Sequence, residues 1–397
     1  MTERLYYTDC YLRRFTAHIA AVSDDGLGVR LDRTAFYPAS GGQPFDTGTL
    51  ADIRVVGVAE DESGILHQLA SPLGPGPAAS AIEGAIDWPR RFDHMQQHTG
   101  QHLLSAVFET RFGAKTVGFH MGAESSTIDL EGHVDPSAAA EAELDANRIV
   151  CENRGVAIAF EEAAQAQGLR KAAGRQGELR IVSIRDLDRS ACGGTHVRST
   201  GEIGAVLLGK LEKVRHGVRV EFRCGERAIR RARADYETLS RTAQVFSAPS
   251  GEVPALAAAQ LEAARAQDKA RRKLELELAA CQGRELYRST APDSGGCRRV
   301  THRAGSGSVE DLRAIARSFT AQPKAVFLAT LANPPSVLLA VSADAAIDAG
   351  KLVKAALAEE GGRGGGTPGM AQGSVPGAAE LERVVARLTE ECGGRGK

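Results

Sequence analysis

No apolar run in this 397-residue chain approaches the ~18 residues that a membrane-spanning helix needs, and the N-terminal Met1-Thr-Glu-Arg-Leu-Tyr-Tyr lacks the apolar core of a secretory signal. A membrane protein and a secreted one are both excluded on this reading, which places the chain in the cytoplasm with no membrane partner. A disulfide framework is missing too. Seven cysteines is an odd number, and Cys10, Cys151, Cys224, Cys281, Cys297 and Cys392 are scattered, so they read as free thiols. Nor is there an excess of charge of one sign: 49 Lys and Arg against 50 Asp and Glu leave a formal net charge of −1. Nothing pulls a polyanion in globally, so a nucleic-acid surface has to be local. The length predicts two to four domains of ordinary globular composition.

What the chain does carry is two short-spaced pairs of soft ligands. His98 and His102 lie four residues apart, and Cys192-Gly-Gly-Thr-His196 follows almost a hundred residues later. Three imidazoles and a thiolate form a donor set suited to Zn²⁺. From about Asp93 to Phe112, apolar residues at Met95, Leu103, Leu104, Val107, Phe108 and Phe112 predict an amphipathic helix, with Asp93 as N-cap and Gln96 closing a capping box. An i, i+4 spacing puts both imidazoles on one face. His94 shares that face, so spacing leaves open whether His94 and His98 or His98 and His102 are the ligands. Gly193 and Gly194 make the second pair a loop; the preceding run Leu179 to Ile184 alternates like a strand, so the loop is expected to leave a sheet edge and meet the helix.

Met95-Gln-Gln-His-Thr-Gly-Gln-His-Leu-Leu104 and Ser190-Ala-Cys-Gly-Gly-Thr-His-Val-Arg-Ser-Thr-Gly-Glu-Ile-Gly204 resemble the two zinc motifs of the alanyl-tRNA synthetase editing domain, a pair shared with threonyl-tRNA synthetases. Ala35-Phe-Tyr-Pro-Ala-Ser-Gly-Gly-Gln-Pro-Phe-Asp-Thr-Gly48 is similar to the glycine-rich loop of the alanyl group, and Gly361 to Gly373 resembles the glycine-rich motif of that synthetase's C-terminal, DHHA1-type domain. Only about ninety residues precede His98, too few for an aminoacylation domain, so the chain looks like a free-standing editor of the long-form AlaX type. The resemblance implies a deacylase acting on tRNA(Ala) mischarged with serine, glycine being second. It implies His98, His102, Cys192 and His196 as zinc-holding, catalytic residues, with Cys192 the variable member. It also implies a substrate pocket walled by the loop with Gly41, Gly42 and Gln43 and by the strand with Phe119 and His120; Gln43, His120 and Thr127 are the candidate partners for a serine hydroxyl.

The expected fold class is α+β in four parts. Residues 1–90, with strand-like runs such as Ala51 to Val58 and a Gly/Pro/Ala stretch at Ser71 to Ala79, suggest a small β-barrel carrying the Gly-rich loop. Residues 91–225 form the α/β zinc editing core. Residues 226–290, rich in Ala, Leu, Glu, Arg and Lys and broken at Ser247 to Gly251, predict a two-helix or coiled-coil connector. Residues 291–397 predict an α/β domain for tRNA binding and homodimer formation: helices Val309 to Phe319, Ala349 to Glu360 and Ala378 to Glu391, strands Ala325 to Leu331 and Val337 to Val341, and a Gly-rich loop at 361–373. A basic stretch from Lys210 to Arg233, turning at His216-Gly217, offers phosphate contacts, and Arg215, Arg219 and Arg363 are the expected tRNA-binding residues.

Ester hydrolysis needs an attacking water and stabilisation of the oxyanion. Four protein ligands fill a tetrahedral zinc. Either one ligand is displaced and zinc activates water, or zinc orients the aminoacyl end while nearby groups place the water. Two rival classes are a DHH-type phosphoesterase, which needs Asp-His-His where this chain has Asp93-His94-Met95, and a non-catalytic tRNA-binding protein with structural zinc.

Overall fold

The computed structural model describes residues 2–74, 81–171, 174, 176–305 and 308–393; most of the Gly/Pro/Ala stretch expected at 71–79 lies outside them. Residues 1–242 and 243–397 form two compact units, with the helix Glu226–Phe246 crossing the division.

In the first unit, the strands Arg14–Val22, Gly28–Leu31, Gly64–Leu69, Ile53–Asp61, Gly48–Leu50 and Ala81–Ile86 are neighbours in that order, and the last pairs back to the first in a closed barrel. Alternating residues such as Val29, Leu31, Val55, Val58, Ile65 and Leu69 fill its interior. The strand expected at Ala51 to Val58 begins at Ile53 instead. Ala51 and Asp52 take left-handed φ of 46° and 63°, forming the two-residue turn that joins Gly48–Leu50 to Ile53–Asp61.

The long helix Trp88–Phe112 follows. It starts before the expected Asp93: Asp87 is the N-cap, accepting from the Arg90 amide, and Pro89 occupies the first turn, where a missing N–H costs nothing. Asp93 pairs with Arg227 instead, and the Gln96 amide donates to the Glu202 carbonyl at 2.9 Å, so the capping box does not form. Gly113 ends the helix in a left-handed turn at φ 66°. Met95, Leu103, Leu104, Val107 and Phe108 bury one side of it in a core shared with the antiparallel sheet Val206–Val214, Gly217–Cys224, Ser126–Glu131, Thr116–Met121 and with the helix Pro136–Glu152. Gly100 permits the closest approach, because a Cβ there would stand 2.2 Å from the Cys224 sulfur. A second sheet, Val156–Glu162, Glu178–Ile184, Asp188–Ala191, delivers the chain to Cys192.

The second unit is layered. Its five-stranded sheet runs Arg298–Ala304, Ala325–Leu331, Ser336–Val341, Met370–Ser374, Arg363–Thr367. Every residue of Ala325–Leu331 is buried because helices cover both faces. Val326, Leu328, Val337 and Leu339 face the helices Ala349–Glu359 and Ala378–Gly393, whereas Phe327, Ala329 and Leu338 face Val309–Thr320 and the helix Val253–Ser289. The Gly-rich segment expected as a loop is a β-hairpin. Its ladder with Ser336–Val341 satisfies the backbone, and its glycines leave room for the helix above: a Cβ on Gly373 would stand 2.2 Å from Leu357 Cδ1.

Candidate metal centre

His98 and His102 project from the middle of the long helix toward the loop Cys192–His196, and the four potential ligand atoms all lie within 4.8 Å of one another. The Cys192 sulfur is 3.4 Å from His98 Nε2 and 3.3 Å from His196 Nε2. All three histidines are buried and Cys192 is partly so. The geometry resolves the ambiguity left by spacing: His94 is outside the cluster.

The hydrogen bonds around the cluster assign each imidazole its tautomer. Thr99 Oγ1 gives its only proton to the Met95 carbonyl at 2.8 Å and accepts from the Val197 amide, so it can only accept from His196 Nδ1, 3.1 Å away. Gln43 Oε1 is identified by the Thr195 N–H that donates to it at 3.1 Å, and it accepts from His98 Nδ1 at 2.8 Å. Asp188 Oδ2 accepts from His102 Nδ1 at 2.8 Å. Each ring therefore carries its proton on Nδ1 and turns Nε2 inward, the arrangement a metal-binding histidine adopts. Cys192 is held well below the ordinary thiol range: burial opposes ionisation, but the neighbouring His98 and His196 imidazoles and the bond from His102 outweigh it. Burial presses His196 down to about 3. For His102 burial acts in the same direction, but the Asp188 carboxylate and the Cys192 thiolate overcome it and raise it to about 9, so without a metal Nε2 also carries a proton at neutral pH, the one a bound cation would displace. The donor set is one thiolate and three imidazoles with oriented lone pairs, and it fits a soft or borderline divalent cation.

The supports come from distant sequence. Asp188 also accepts from Arg170 Nε at 2.6 Å and from Ser190. Gln43 is positioned by a loop pinned to the helix through a fully buried ion pair, Arg91 with Asp46, whose guanidinium also binds the Cys10 and Ala35 carbonyls. Gly194 packs on the His98 ring, where a Cβ would stand 2.1 Å from Cε1. Sequence reasoning missed Asp188, Thr99, Thr195, Arg170 and Arg91. Thr99 and Thr195 each adjoin a ligand histidine in the quoted motifs, which was the available signal; Asp188, Arg170 and Arg91 had none.

Of the expected pocket residues, Gly42, Gln43 and Phe119 meet at the cluster. The Met121 amide donates to the Gly42 carbonyl at 3.1 Å, Gly42 rests on Phe119, and the Phe119 ring centroid is 5.4 Å from that of His98. Gly41, in the same turn at φ 57°, is exposed. His120 and Thr127 are cross-strand partners on the face opposite to Phe119 and Ile128, so the structure does not bring them to the ligands. Gln43 is buried, with its amide committed to His98 and Thr195. Arg215 and Arg363 are exposed, and Arg219 is bidentate on Asp129.

The loop that carries Cys192 and His196 belongs to a class of domain found in two synthetases: residues 179–220 match the family described as threonyl and alanyl tRNA synthetase second additional domain, and residues 305–394 match the DHHA1 domain. The alanyl-tRNA editing protein AlaX-L of Pyrococcus horikoshii is 33% identical over 390 residues, covering 94% of this chain and 95% of that protein. The chain belongs to this alanyl-tRNA editing protein family. AlaX-M of Methanosarcina acetivorans is 38% identical over 53% of the chain and 94% of its own length. The alanine–tRNA ligase of Pyrococcus furiosus is 31% identical over 98% of the chain, which spans 43% of that ligase. Among the described residues no helix is long and apolar enough to cross a membrane.

Proposed function

We propose that this chain is a zinc-dependent trans-editing deacylase that hydrolyses the ester of tRNA(Ala) mischarged with serine, glycine being the second candidate. The observation that carries the reading is the set of three imidazoles whose Nδ1 protons are each taken by a buried acceptor, so that three Nε2 atoms and the Cys192 sulfur converge. His98, His102, Cys192 and His196 would hold the zinc. Bound there, it supplies Lewis-acid polarisation of the ester or of the attacking water. Asp188, Gln43 and Thr99 keep the rings in register, and their bonds are made before substrate arrives, so no reorganisation is needed during the reaction. Phe119 and the loop at Gly41 to Pro44 wall the space beside His98, which supports placing the aminoacyl group there.

The chemistry is assigned to residues 91–225 with the loop of residues 1–90. Delivery of tRNA and self-association are assigned to the connector at 226–290 and to residues 291–397. Exposed Arg215 and Arg363 suit phosphate contacts, and Arg219 joins them only by releasing Asp129. Exposed Leu261, Leu274 and Leu278 on Val253–Ser289 support a homodimer through this region.

The deciding experiment measures deacylation of Ser-tRNA(Ala) and Ala-tRNA(Ala) with and without a chelator. A pocket that senses size alone separates the two amino acids by about 1 to 3 kcal/mol, whereas hydroxyl recognition does far better. The expected result is seryl turnover more than a hundredfold faster, lost with the metal. Equal turnover of both substrates refutes editing.

A further inference from the structure

One helical turn before His98, a second cavity of about 470 Å³ opens beside the long helix, lined by Trp88, Arg90, His94, Gln96, Arg227 and Arg230 among others. Its chemistry is unlike the metal cluster's. His94 is 3% exposed, and its Nδ1 is buried without a hydrogen-bond partner among the described residues. Two of the arginines are committed, Arg227 to Asp93 and Arg230 to Glu226, which also line the cavity. Among the described residues Arg90 has no such carboxylate partner. It lies over the Phe45 ring and gives Nε to the Phe45 carbonyl at 3.1 Å, which leaves both Nη groups to point elsewhere. Three arginines against Asp93 and Glu226 leave the wall one positive charge in excess. Burial, together with Arg90, Arg227 and Arg91, holds His94 neutral, down to about 3, so it can donate a hydrogen bond without adding charge.

We propose that this cavity binds a phosphate of the substrate, namely the 5′-phosphate of the terminal nucleotide whose ribose carries the ester, with the Arg90 guanidinium and His94 as its donors. The identity of the ligand rests on the deacylase reading; the anion site rests on the cavity. An aminoacyl ester sits on the 2′ or 3′ hydroxyl, and the same ribose carries its phosphate on the opposite side, a sugar's width away. His94 and His98 are separated by one turn, about 6 Å along the helix, and Pro44 on the cavity wall adjoins Gln43 of the metal site. A planar guanidinium with two Nη groups outside any ion pair among the described residues matches phosphate oxygens in pairs, and the neutral His94 ring on the cavity wall adds a donor through Nε2. The site would let the enzyme hold the nucleotide while the metal end holds the ester.

The test uses the full chain with 5′-AMP and adenosine as probes, read by the fluorescence of Trp88, which lines the cavity and is the one tryptophan in the sequence. 5′-AMP is expected to bind about tenfold more tightly than adenosine, an ordinary effect for a charge-assisted contact. Arg90→Gln should bring the two probes to equal affinity with zinc content unchanged, and Arg90→Lys should keep part of the preference. Equal binding of 5′-AMP and adenosine by the unmodified protein overturns the site, as does a preference that survives Arg90→Gln. If the Arg90-dependent preference is present but no aminoacyl-tRNA is hydrolysed, the phosphate site stands and the deacylase reading falls; if Ser-tRNA(Ala) is edited while the probes bind alike, the reverse holds.

Discussion

Asp188→Asn is the sharpest probe of the metal centre, because it changes one charge and almost no volume. Asp188 Oδ1 accepts from Arg170 Nε at 2.6 Å, Oδ2 accepts from His102 Nδ1 at 2.8 Å, and Ser190 Oγ lies near both oxygens. An asparagine has a single acceptor oxygen to divide between the two. The permanently charged guanidinium takes it, and the amide NH₂ is left facing His102. His102 must then present a lone pair at Nδ1, which moves its proton to Nε2, the atom aimed at the cluster. A cation can then bind at Nε2 only by displacing that proton and breaking the new bond at Nδ1, which weakens the site. Loss of such an outer partner costs 10- to 100-fold in metal affinity, or roughly 1.4 to 2.8 kcal/mol. The assay is zinc affinity at pH 7.5 by competition with a chromophoric chelator, with circular dichroism to confirm the fold. The double variant Arg170→Met, Asp188→Asn frees the asparagine oxygen for His102 and should recover part of the loss. Zinc affinity unchanged in Asp188→Asn, or a double variant no better than the single one, refutes the tautomer argument.

Thr99→Val removes the acceptor shared by His196 Nδ1 and the Val197 amide at nearly constant volume; zinc binding should weaken about tenfold and stability should fall by about 1 to 3 kcal/mol, both checked by competition titration and thermal unfolding, with Thr99→Ser near normal. His67, fully buried in the barrel, bonds the Val29 carbonyl and Thr34 and is pushed by burial down to about 4. Its folded value lies below the unfolded one, so between pH 6.5 and 4 only the unfolded chain takes up the proton; stability present at neutral pH is lost across that window, by about 3 kcal/mol. Hydrogen exchange of the Val29 and Leu31 amides at pH 7 and pH 4.5 measures it, and equal protection at both argues against a neutral buried imidazole. In the second unit, Gly373→Ala should destabilise by about 1 to 3 kcal/mol through its clash with Leu357 and the Arg363 carbonyl, whereas Gly365→Ala, with open space at its Cβ, should be near neutral. Urea unfolding compares them, and zinc content should be unchanged in both.

The elements that were legible in sequence are those whose signal is local. Ala325 to Leu331 and Val337 to Val341 are short apolar runs, and the helices Val309–Thr320, Ala349–Glu359 and Ala378–Gly393 carry a helical period, so their positions follow from neighbours a few residues away. The same holds for the candidate ligands: an i, i+4 pair and a Cys-x-x-x-His segment are spacings within one turn or one loop. Tertiary structure decided what depends on distant partners. It chose His102 over His94, because the loop at Cys192 reaches one side of the helix while His94 turns to a separate cavity among arginines. It recruited Asp188, Thr99 and Gln43 as acceptors across separations of 86, 97 and 55 residues, and no local pattern encodes such a bond. It turned a glycine tract into a hairpin, since glycine has no side chain to announce its pairing and the strand Ser336–Val341 and the helix above supplied the reason. Spacing along a chain is a property of sequence; the tautomer of a buried imidazole belongs to whatever the fold sets against its other nitrogen.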